Sequence, residues 1–419
     1  MDYYSGIKIA DSEKDSERKW WLWTSIVINL GFLGVFKYYN FFVDSFIDLF
    51  QQFNIHLQAS TLNVILPVGI SFYTFHGLSY VIDIYYRRIP KEKNFIDYSL
   101  FVSFFPLLVA GPIERAHHLL PQMKKERQFN YLNMVEGLRL ILWGLFKKVA
   151  IADQCATWVN AIFENPQDQH SLTLIWGAVL FSFQIYGDFS GYSDIALGTA
   201  RMLGFNLLRN FNFPYFSRSI AEFWRRWHIS LSSWFKDYLY IPLGGSRGNK
   251  WDQVKNTMII FLVSGFWHGA NWTFIFWGLL NGLFILPSVF SNTNRKHLEI
   301  VANHSLTPNV KELLQMLLTF GLTTFAWIFF RSENFEKAKT YLYSITTNFE
   351  IKPPKYLSAQ LIFLLGILLA FEWIGRKNEV VLSIFSKQNL AVRWGIYLFL
   401  TLSIVLLSTK NNSFIYFQF

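Results

Sequence analysis

Long apolar runs alternate with short polar and basic stretches along most of this chain. The runs that are nearly free of charged residues are 22–36, 62–81, 95–110, 172–186, 258–266, 273–286, 313–330, 361–371 and 394–407. Several of them approach the roughly 20 mostly apolar residues that a helix needs to cross a bilayer, and the shorter ones suit tilted, re-entrant or protein-enclosed helices. The pattern predicts an all-α, multi-spanning membrane protein with about nine to eleven embedded segments.

Composition agrees with a membrane protein. Hydrophobic residues make up 52% of the chain and charged residues only 16%, whereas an ordinary soluble domain has about 25% charged residues. Residues 1–19 are polar and of mixed charge, so they do not resemble a cleavable signal peptide. Without an internal repeat or a long linker, residues 20–419 are predicted to form a single integral membrane domain, with a motif core at 62–290.

The net charge of +10 is spread over several basic clusters. These clusters lie between the apolar runs, at 87–93, 124–127, 147–148, 225–226 and 247–255. Cytoplasmic loops of membrane proteins are enriched in Lys and Arg, so membrane orientation explains the clusters without any ligand. We therefore expect contact with the lipid bilayer and no nucleic-acid partner.

The middle of the chain mixes many charged residues with many aromatic ones. Glu222 precedes Arg225 and Arg226 by three and four residues, so on a helix the three share a face and can pair. Tryptophans nearby favour the membrane–water interface. Residues 221–239 are therefore predicted to form an amphipathic helix or a helix pair in or near that interface. Pro-Leu-Gly-Gly-Ser-Arg-Gly at 242–248 then predicts a tight turn.

Two of the nine histidines are candidates for chemistry. Six others fall in polar or interfacial stretches, where a solvated side chain is expected: His56, His117, His118, His170, His297 and His304. His76 lies among apolar and aromatic residues and is expected to be a hydrogen-bonded packing residue. His268 lies in Ser-Gly-Phe-Trp-His-Gly-Ala-Asn-Trp between two apolar runs, and His228 follows Trp-Arg-Arg-Trp at the start of a predicted helix.

An ionisable side chain inside a membrane is costly, so His268 is a functional candidate by its position alone. Histidine also suits general base catalysis near neutral pH. The glycines next to His268 allow a substrate to approach closely, and His228 can face the same cavity. For both residues the alternative is a neutral histidine bonded to a backbone carbonyl.

Other chemistries fit the sequence less well. No Glu-x-x-His or His-x-x-x-His spacing and no evident third ligand accompany the histidines, so no metal is expected. The single cysteine, Cys155, excludes an intramolecular disulfide and a multi-cysteine metal site. The chain also lacks a glycine-rich phosphate loop and a Gly-x-Ser-x-Gly elbow. Asp188 and Asp194, in Gly-Asp-Phe-Ser-Gly-Tyr-Ser-Asp, can orient a histidine or a substrate hydroxyl, but Asp188 can equally cap a helix.

Several long motifs, in the right order, resemble those of the membrane-bound O-acyltransferase family. They are Phe-Pro-Leu-Leu-Val-Ala-Gly-Pro-Ile-Glu-Arg at 105–115, Tyr-Gly-Asp-Phe-Ser-Gly-Tyr-Ser-Asp-Ile-Ala at 186–196, Arg-Arg-Trp-His-Ile-Ser-Leu-Ser at 225–232, Trp-Phe-Lys-Asp-Tyr-Leu-Tyr-Ile-Pro-Leu-Gly-Gly-Ser at 234–246 and Phe-Trp-His-Gly-Ala-Asn-Trp at 266–272. The resemblance runs from about residue 29 to residue 330. It is closer to the branch that contains the membrane subunit of bacterial alginate O-acetylation and its peptidoglycan-acetylating relatives than to the D-alanyl-transferring branch.

The resemblance implies a ring of helices, some of them interfacial, around a central funnel. It implies that His268 is the catalytic histidine near mid-membrane and that His228 is its partner. The enzyme would be a multi-pass protein of the bacterial cytoplasmic membrane. An acyl thioester, expected to be acetyl-coenzyme A, would arrive from the cytoplasm, and no cofactor would be bound permanently. The acceptor would be an exported polysaccharide, or a secreted or membrane-anchored partner protein that relays the group.

Further residues receive roles in the predicted mechanism. Arg225, Arg226 and Lys236 are predicted to attract the phosphates of the acyl donor, although positive-inside orientation explains them equally well. Four residues are predicted to orient substrate: Asp188, Asp194, Trp267 and Asn271. Relatives usually begin with one or two further spans before the segment that resembles residues 1–19, so we expect this chain to start late.

Two functions from other classes remain open at this stage. A transporter or flippase for lipid-linked sugar would also have many spans and buried charges, but transporters often show two related halves. A catalytically inactive scaffold that recruits a secreted acetyltransferase would need the same membrane topology. Replacing His268 discriminates among the three, because only the enzyme loses its function.

Overall fold

A computed structural model of the chain describes residues 1–58, 60–62, 67, 69–109 and 111–408. These residues form helices and connecting loops, with no β-strand among them. The chain divides into two compact units, Met1–Gln128 and Phe129–Phe419. The all-α class predicted from the apolar runs is confirmed. The single membrane domain at 20–419 stays a prediction.

The first unit is built on an N-terminal helix that packs against two later ones. Its described α-helices are α1 (Asp2–Asp11), α2 (Asp15–Leu33), α3 (Tyr39–Gln51), α4 (Ile70–Tyr85), α5 (Phe95–Ser103) and α6 (Ala116–Lys124). Asp2 accepts hydrogen bonds of 2.7 Å from both Ser25 and Asn29, so the start of α1 is fixed to α2. Residues 2–11 and 15–19 of the polar segment 1–19 are helical.

The loops of the first unit account for the irregular sequence around Pro106. A short 3₁₀ turn, Phe105–Leu107, follows α5. The backbone N–H of Glu114 donates to Nε2 of buried His76 at 3.1 Å, which confirms His76 as a hydrogen-bonded packing residue. Residue 110 of the motif at 105–115 lies outside the described residues, as do residues 63–66 and 68 of the apolar run 62–81.

The second unit contains the candidate chemistry. Its described α-helices are α7 (Tyr131–Leu145), α8 (Asp153–Glu164), α9 (Ser171–Met202), α10 (Ile220–Arg226), α11 (Ile229–Phe235), α12 (Lys250–His268), α13 (Trp272–Phe290), α14 (Val310–Arg331), α15 (Phe335–Thr347), α16 (Ala359–Gly375) and α17 (Leu390–Leu407). Two of them, α10 and α11, form the helix pair predicted for 221–239, and its position at a membrane interface stays a prediction. Gly244, Gly245 and Gly248 have positive φ, which confirms the predicted turn.

Five helical segments among the described residues are long and apolar enough to cross a membrane. They are Asp15–Gln51, Ser171–Met202, Trp272–Phe290, Val310–Arg331 and Leu390–Leu407. Two shorter apolar segments, Phe95–Leu107 and Ala359–Gly375, add to them. The predicted count of about nine to eleven embedded segments included short and re-entrant helices, and it stays a prediction.

Glycines let α7 and α9 pack backbone against backbone. A Cβ built on Gly144 would lie 2.5 Å from the carbonyl oxygen of Gly191, and one built on Gly198 would lie 2.5 Å from that of Gly137. Because 137 pairs with 198 and 144 with 191, the two helices run antiparallel. A π-helical turn, Phe146–Ala152, continues α7 beside the middle of α9.

Candidate active site

His268 is the last residue of α12 and its side chain is buried. Gly265, three residues earlier, faces Gly278 of α13 at very short range. The two helices can approach this closely because neither glycine carries a side chain. The sequence Gly-Phe-Trp-His therefore ends α12 against α13 and leaves the imidazole inside the protein.

His228 precedes α11 in an unusual backbone conformation. Its φ of 44° and ψ of 54° are left-handed, a region that few residues other than glycine occupy. The loop is held by a 2.9 Å hydrogen bond from the backbone N–H of Ile229 to the carbonyl of Asn210, and by a 2.6 Å bond from Ser230 Oγ to Asn210 Oδ1. These contacts turn the His228 side chain into the interior, where it is 1% exposed.

The structure brings the two histidines together. Their ring centroids lie 6.3 Å apart with an angle of 56° between the ring planes, a separation larger than a direct ring-to-ring hydrogen bond allows. Neither ring nitrogen of His228 has a hydrogen-bond partner among the described residues. Burial lowers the pKa of His228 to about 3, so its imidazole is neutral at physiological pH. A buried polar group without a partner is costly, and such groups are typical of binding and catalytic sites.

Aromatic rings surround the pair. His268 makes edge contacts with Trp277 and Phe330, at centroid distances of 5.2 and 5.5 Å. Phe189 of α9 stands edge-on to His228 at 4.6 Å. Trp267, predicted to orient substrate, is buried with its ring centroid 4.9 Å from that of His268 and 6.1 Å from that of His228. An apolar enclosure of this kind excludes water and strengthens electrostatic interactions within it.

The two predicted carboxylates are held by lysines. Asp188 forms a 2.8 Å ion pair with Lys148, and Asp194 forms one of the same length with Lys147. The helix-cap alternative for Asp188 is wrong, because α9 continues without a break from Ser171 to Met202. Asp188 nevertheless directly precedes Phe189, whose ring contacts His228. Any orienting role of the two carboxylates toward substrate stays a prediction.

Lys147 and Lys148 were missed as site residues. The positive-inside explanation is wrong for them, because they lie in the π-helical turn Phe146–Ala152 and Lys147 is 3% exposed. Lys148 also bonds Asp153 at 2.8 Å. The available signal was that both lysines continue an apolar helix while two aspartates interrupt another one, and buried charges of opposite sign usually pair.

Near His228, a buried carboxylate joins two arginines. Glu222 accepts a 2.9 Å bond from Arg226 Nη2 and a 3.1 Å bond from Arg218 Nη2. The helical pairing predicted for Glu222 is confirmed with Arg226, whereas Arg225 instead donates to the backbone carbonyls of 294, 296 and 297. Lys236 is exposed at the start of a π-helical turn. A role of Arg225, Arg226 or Lys236 in donor binding stays a prediction.

Asn271 has a structural position next to the site. Its side-chain oxygen accepts a 3.0 Å bond from the backbone N–H of Thr273 and caps α13. Its amide donates to the carbonyl of Glu333 at 2.7 Å. Asn271 therefore fixes the turn that follows His268, and contact with substrate stays a prediction. In the part of the chain that the structure describes, no cluster of three or more His, Cys, Asp or Glu residues could hold a metal ion.

A protein-family model matches the last third of the first unit and much of the second unit. The family model described as MBOAT, membrane-bound O-acyltransferase family, matches residues 85–325. This range is more than half of the chain and contains both histidines.

Individual relatives are similar over most of the chain. The probable alginate O-acetylase of Pseudomonas aeruginosa is 40% identical over 342 residues, which are 81% of this chain and 62% of that protein. The peptidoglycan O-acetyltransferase of Helicobacter pylori is 38% identical over 81% of this chain and 67% of its own length. The teichoic acid D-alanyltransferase of Bacillus subtilis is 28% identical over 65% of this chain and 70% of its own length. The chain thus spans 62% of the Pseudomonas relative that it matches.

Proposed function

Because the chain belongs to the membrane-bound O-acyltransferase family, we propose that it transfers an acyl group, expected to be acetyl, from a thioester to a hydroxyl. The donor is acetyl-coenzyme A or another acyl thioester in the cytoplasm. The acceptor is a hydroxyl of an exported polysaccharide, or of a secreted or membrane-anchored protein that relays the group. The protein acts from the bacterial cytoplasmic membrane, which it crosses several times.

The observation that carries this proposal is the buried pair of histidines. His228 precedes α11 and His268 ends α12, their ring centroids lie 6.3 Å apart, and aromatic rings enclose both. Packing alone does not require two imidazoles in such a place, because histidine is costly to bury. With 6.3 Å between the ring centroids, one atom of a reacting group can lie within hydrogen-bond distance of a nitrogen of each ring.

His268 serves as the general base. It accepts the proton of the attacking hydroxyl while the hydroxyl oxygen forms a bond with the carbonyl carbon of the thioester. The carbon–sulfur bond then breaks, and the proton passes to the departing thiolate, so that ester and free thiol are the products. A positioned base of this kind contributes on the order of 10²–10⁴-fold in rate.

His228 acts as a neutral hydrogen-bond donor. Burial lowers its pKa to about 3, so one ring nitrogen carries a proton without the ring being charged. That N–H polarises the thioester carbonyl as negative charge develops on its oxygen, or it holds His268 in the useful tautomer. Removing a single donor to such an oxygen typically costs about 10²–10³-fold in rate.

We expect the phosphates of the donor to bind at Arg225, Arg226 and Lys236. Lys236 is exposed and has no ion pair among the described residues, so its ammonium is available to an anion. Arg225 is half-buried, and Arg226 forms an ion pair with Glu222. Lys236 is therefore the member of the predicted set that we expect to contribute most to donor binding.

The names of the relatives support an acceptor on the outer side of the cell envelope. Alginate, peptidoglycan and teichoic acid, the acceptors in those names, are exported polymers of the cell surface. Two of the three names specify O-acetyl transfer. We propose an exported polysaccharide as the acceptor of this chain for the same reason.

The proposal is tested in a deletion strain that carries the wild-type gene, His268→Gln or the control His304→Gln. His304 is exposed and distant in sequence from the pair. Base-labile acetate is measured on isolated surface polysaccharide and peptidoglycan, with the amount of protein in the membrane fraction determined for each strain. Wild type and His304→Gln should restore the acetate that the deletion removes.

For His268→Gln, we expect restored acetate at or below about 1% of wild type. Full restoration by His268→Gln at equal protein level would instead assign a scaffold or transport function. Acetate that does not change in the deletion strain would contradict the proposed acceptor class.

A further inference from the structure

A groove runs between α7 and α17, and none of the residues that line it belongs to the histidine site. Its volume is about 610 Å³, within the range of sites that bind small molecules. Its walls are mainly apolar, with Leu138 and Leu142 from α7 and Trp394 from α17. Two arginines, Arg139 and Arg393, also line it.

The two helices run in the same direction along the groove. Arg139 of α7 donates from Nε to the hydroxyl of Tyr397 in α17 at 2.9 Å. Farther along, Gln154 donates to the carbonyl of Leu407 at 2.9 Å. Gln154 lies in α8, so α17 follows the stretch from α7 to α8 in the same chain direction.

The guanidinium groups lack acidic partners within the protein. Among the described residues, no carboxylate lies within ion-pair distance of Arg139 or Arg393. Glu136, one turn before Arg139, is bonded to Arg201 instead, at 2.9 Å. With its Nε bonded to Tyr397, Arg139 still has its terminal nitrogens available to a ligand.

The groove is open to the outside of the protein near the first residues of α7 and α17. Trp394 is 61% exposed and Leu398 is 59% exposed on α17, one of the helices apolar enough to span a membrane. Tyr131 and Leu132, at the start of α7, are also largely exposed. Tryptophan, tyrosine and arginine at the start of an apolar helix are typical of the depth at which lipid headgroups lie.

We propose that this groove binds an anionic diacyl phospholipid. Its phosphate lies between the guanidinium groups of Arg139 and Arg393, which match phosphate geometry with paired N–H donors. Its acyl chains lie along the apolar wall of Leu138 and Leu142. Basic pockets between membrane helices are known to select anionic headgroups, and the apolar wall distinguishes a lipid from free phosphate.

The test is native mass spectrometry of the full-length protein in detergent with added phosphatidylglycerol. The double variant Arg139→Gln/Arg393→Gln removes both cations. The double variant Arg247→Gln/Arg295→Gln removes the same charge from two exposed loop positions and serves as the matched control. Wild type and control should retain one phosphatidylglycerol, and the groove variant should bind it about tenfold or more weakly because charge-assisted contacts are lost.

A second variant separates a lipid from free phosphate. Leu138→Trp keeps both arginines and fills the groove from a position that is 51% exposed, so the fold is expected to tolerate it. It should weaken phosphatidylglycerol binding while leaving any interaction with inorganic phosphate unchanged.

Three results would overturn the proposal. Phosphatidylcholine that binds as tightly as phosphatidylglycerol would show that headgroup charge is not recognised. Equal lipid binding by the groove variant and the control would place the lipid elsewhere. Unchanged phosphatidylglycerol binding in Leu138→Trp would show that the acyl chains do not lie along the apolar wall, so that the groove would bind only a phosphate group.

Discussion

Gly265 of α12 and Gly278 of α13 lie so close together that neither position has room for a Cβ. A Cβ built on Gly265 would lie 2.3 Å from the carbonyl oxygen of Phe274 and 3.3 Å from the Cα of Gly278. The reciprocal position, Gly278, meets the carbonyl oxygen of Phe261 at 2.3 Å. Since His268 follows Gly265 by three residues, this contact sets where the catalytic candidate lies.

We predict that Gly265→Ala separates α12 from α13 and displaces His268. Overpacking against backbone should lower the free energy of unfolding by about 2 kcal/mol, and acyl transfer should fall at equal protein level. The control is Gly321→Ala in α14, where a Cβ meets nothing within 4 Å. Since Ala is the better helix former, the control should unfold at the same or a higher temperature. Tryptophan fluorescence during heating in detergent measures the unfolding temperatures of both variants. Equal temperatures for Gly265→Ala and Gly321→Ala would contradict the prediction.

Because the backbone of His228 is left-handed, two variants can distinguish its effect on stability from its effect on activity. Asn tolerates this conformation better than most residues, so His228→Asn should unfold near the wild-type temperature. The β-branched variant His228→Val should unfold at a clearly lower temperature. Acyl transfer should nevertheless fall about 10²-fold in His228→Asn, because the hydrogen-bond donor is displaced. Wild-type activity in a folded His228→Asn protein would exclude a role for this imidazole in the reaction.

Stability should depend on pH through the same residue. Burial places the pKa of His228 at about 3 in the folded protein, below the value of about 6.5 in an unfolded chain. Between these two values the unfolded chain binds a proton that the folded chain excludes, so stability falls as pH falls below 6.5.

At pH 5 this effect should amount to about 2 kcal/mol. Unfolding temperatures of wild type and His228→Asn are compared between pH 7.5 and pH 5, so that contributions of all other groups cancel. The decrease should be smaller in His228→Asn. An identical decrease in the two proteins would show that His228 does not bind its proton on unfolding.

The ion pair between Lys148 and Asp188 should be important for stability because it is enclosed. Lys148→Met removes the ammonium that pairs with Asp188 and Asp153, which should cost on the order of 3 kcal/mol. The exposed pair of Lys337 and Glu333, 2.7 Å apart, is the control, and Lys337→Met should cost less than about 1 kcal/mol. Denaturant titration in micelles compares them.

The double variant Lys148→Met/Asp188→Asn should recover part of the loss, because the uncompensated charge is removed. If Lys148→Met and Lys337→Met are equally stable, the enclosed pair does not stabilise the fold.

The sequence was sufficient to predict most of the helices and to select the two histidines as candidates. Apolar runs located most of the described helices because a membrane helix must be apolar over its length, and His268 stood out as an ionisable residue between two such runs. The pairing of Glu222 with Arg226 was also predictable, since four residues on a helix bring side chains together. These features all depend on neighbours within a few positions.

Features that depend on distant partners were not predictable. Lys148 and Asp188 are 40 positions apart in the sequence, so the pattern around Lys148 gives no indication that α9 lies beside it. The contact of Gly265 with Gly278 requires knowledge of how α12 turns back into α13. The left-handed conformation of His228 has no sequence signal, because tertiary contacts impose it on a residue that does not prefer it.

The role of the His268 imidazole as the general base of acyl transfer is tested with inverted inner-membrane vesicles and labelled acetyl-coenzyme A. The vesicles contain equal amounts of wild type, His268→Gln or His304→Gln. The surface polysaccharide that the deletion strain leaves unacetylated is sealed inside them, and the labelled donor is supplied outside, at the cytoplasmic face. Labelled ester should form at the wild-type rate with His304→Gln and at least about 10²-fold more slowly with His268→Gln. Equal rates for His268→Gln and wild type would exclude His268 as the base.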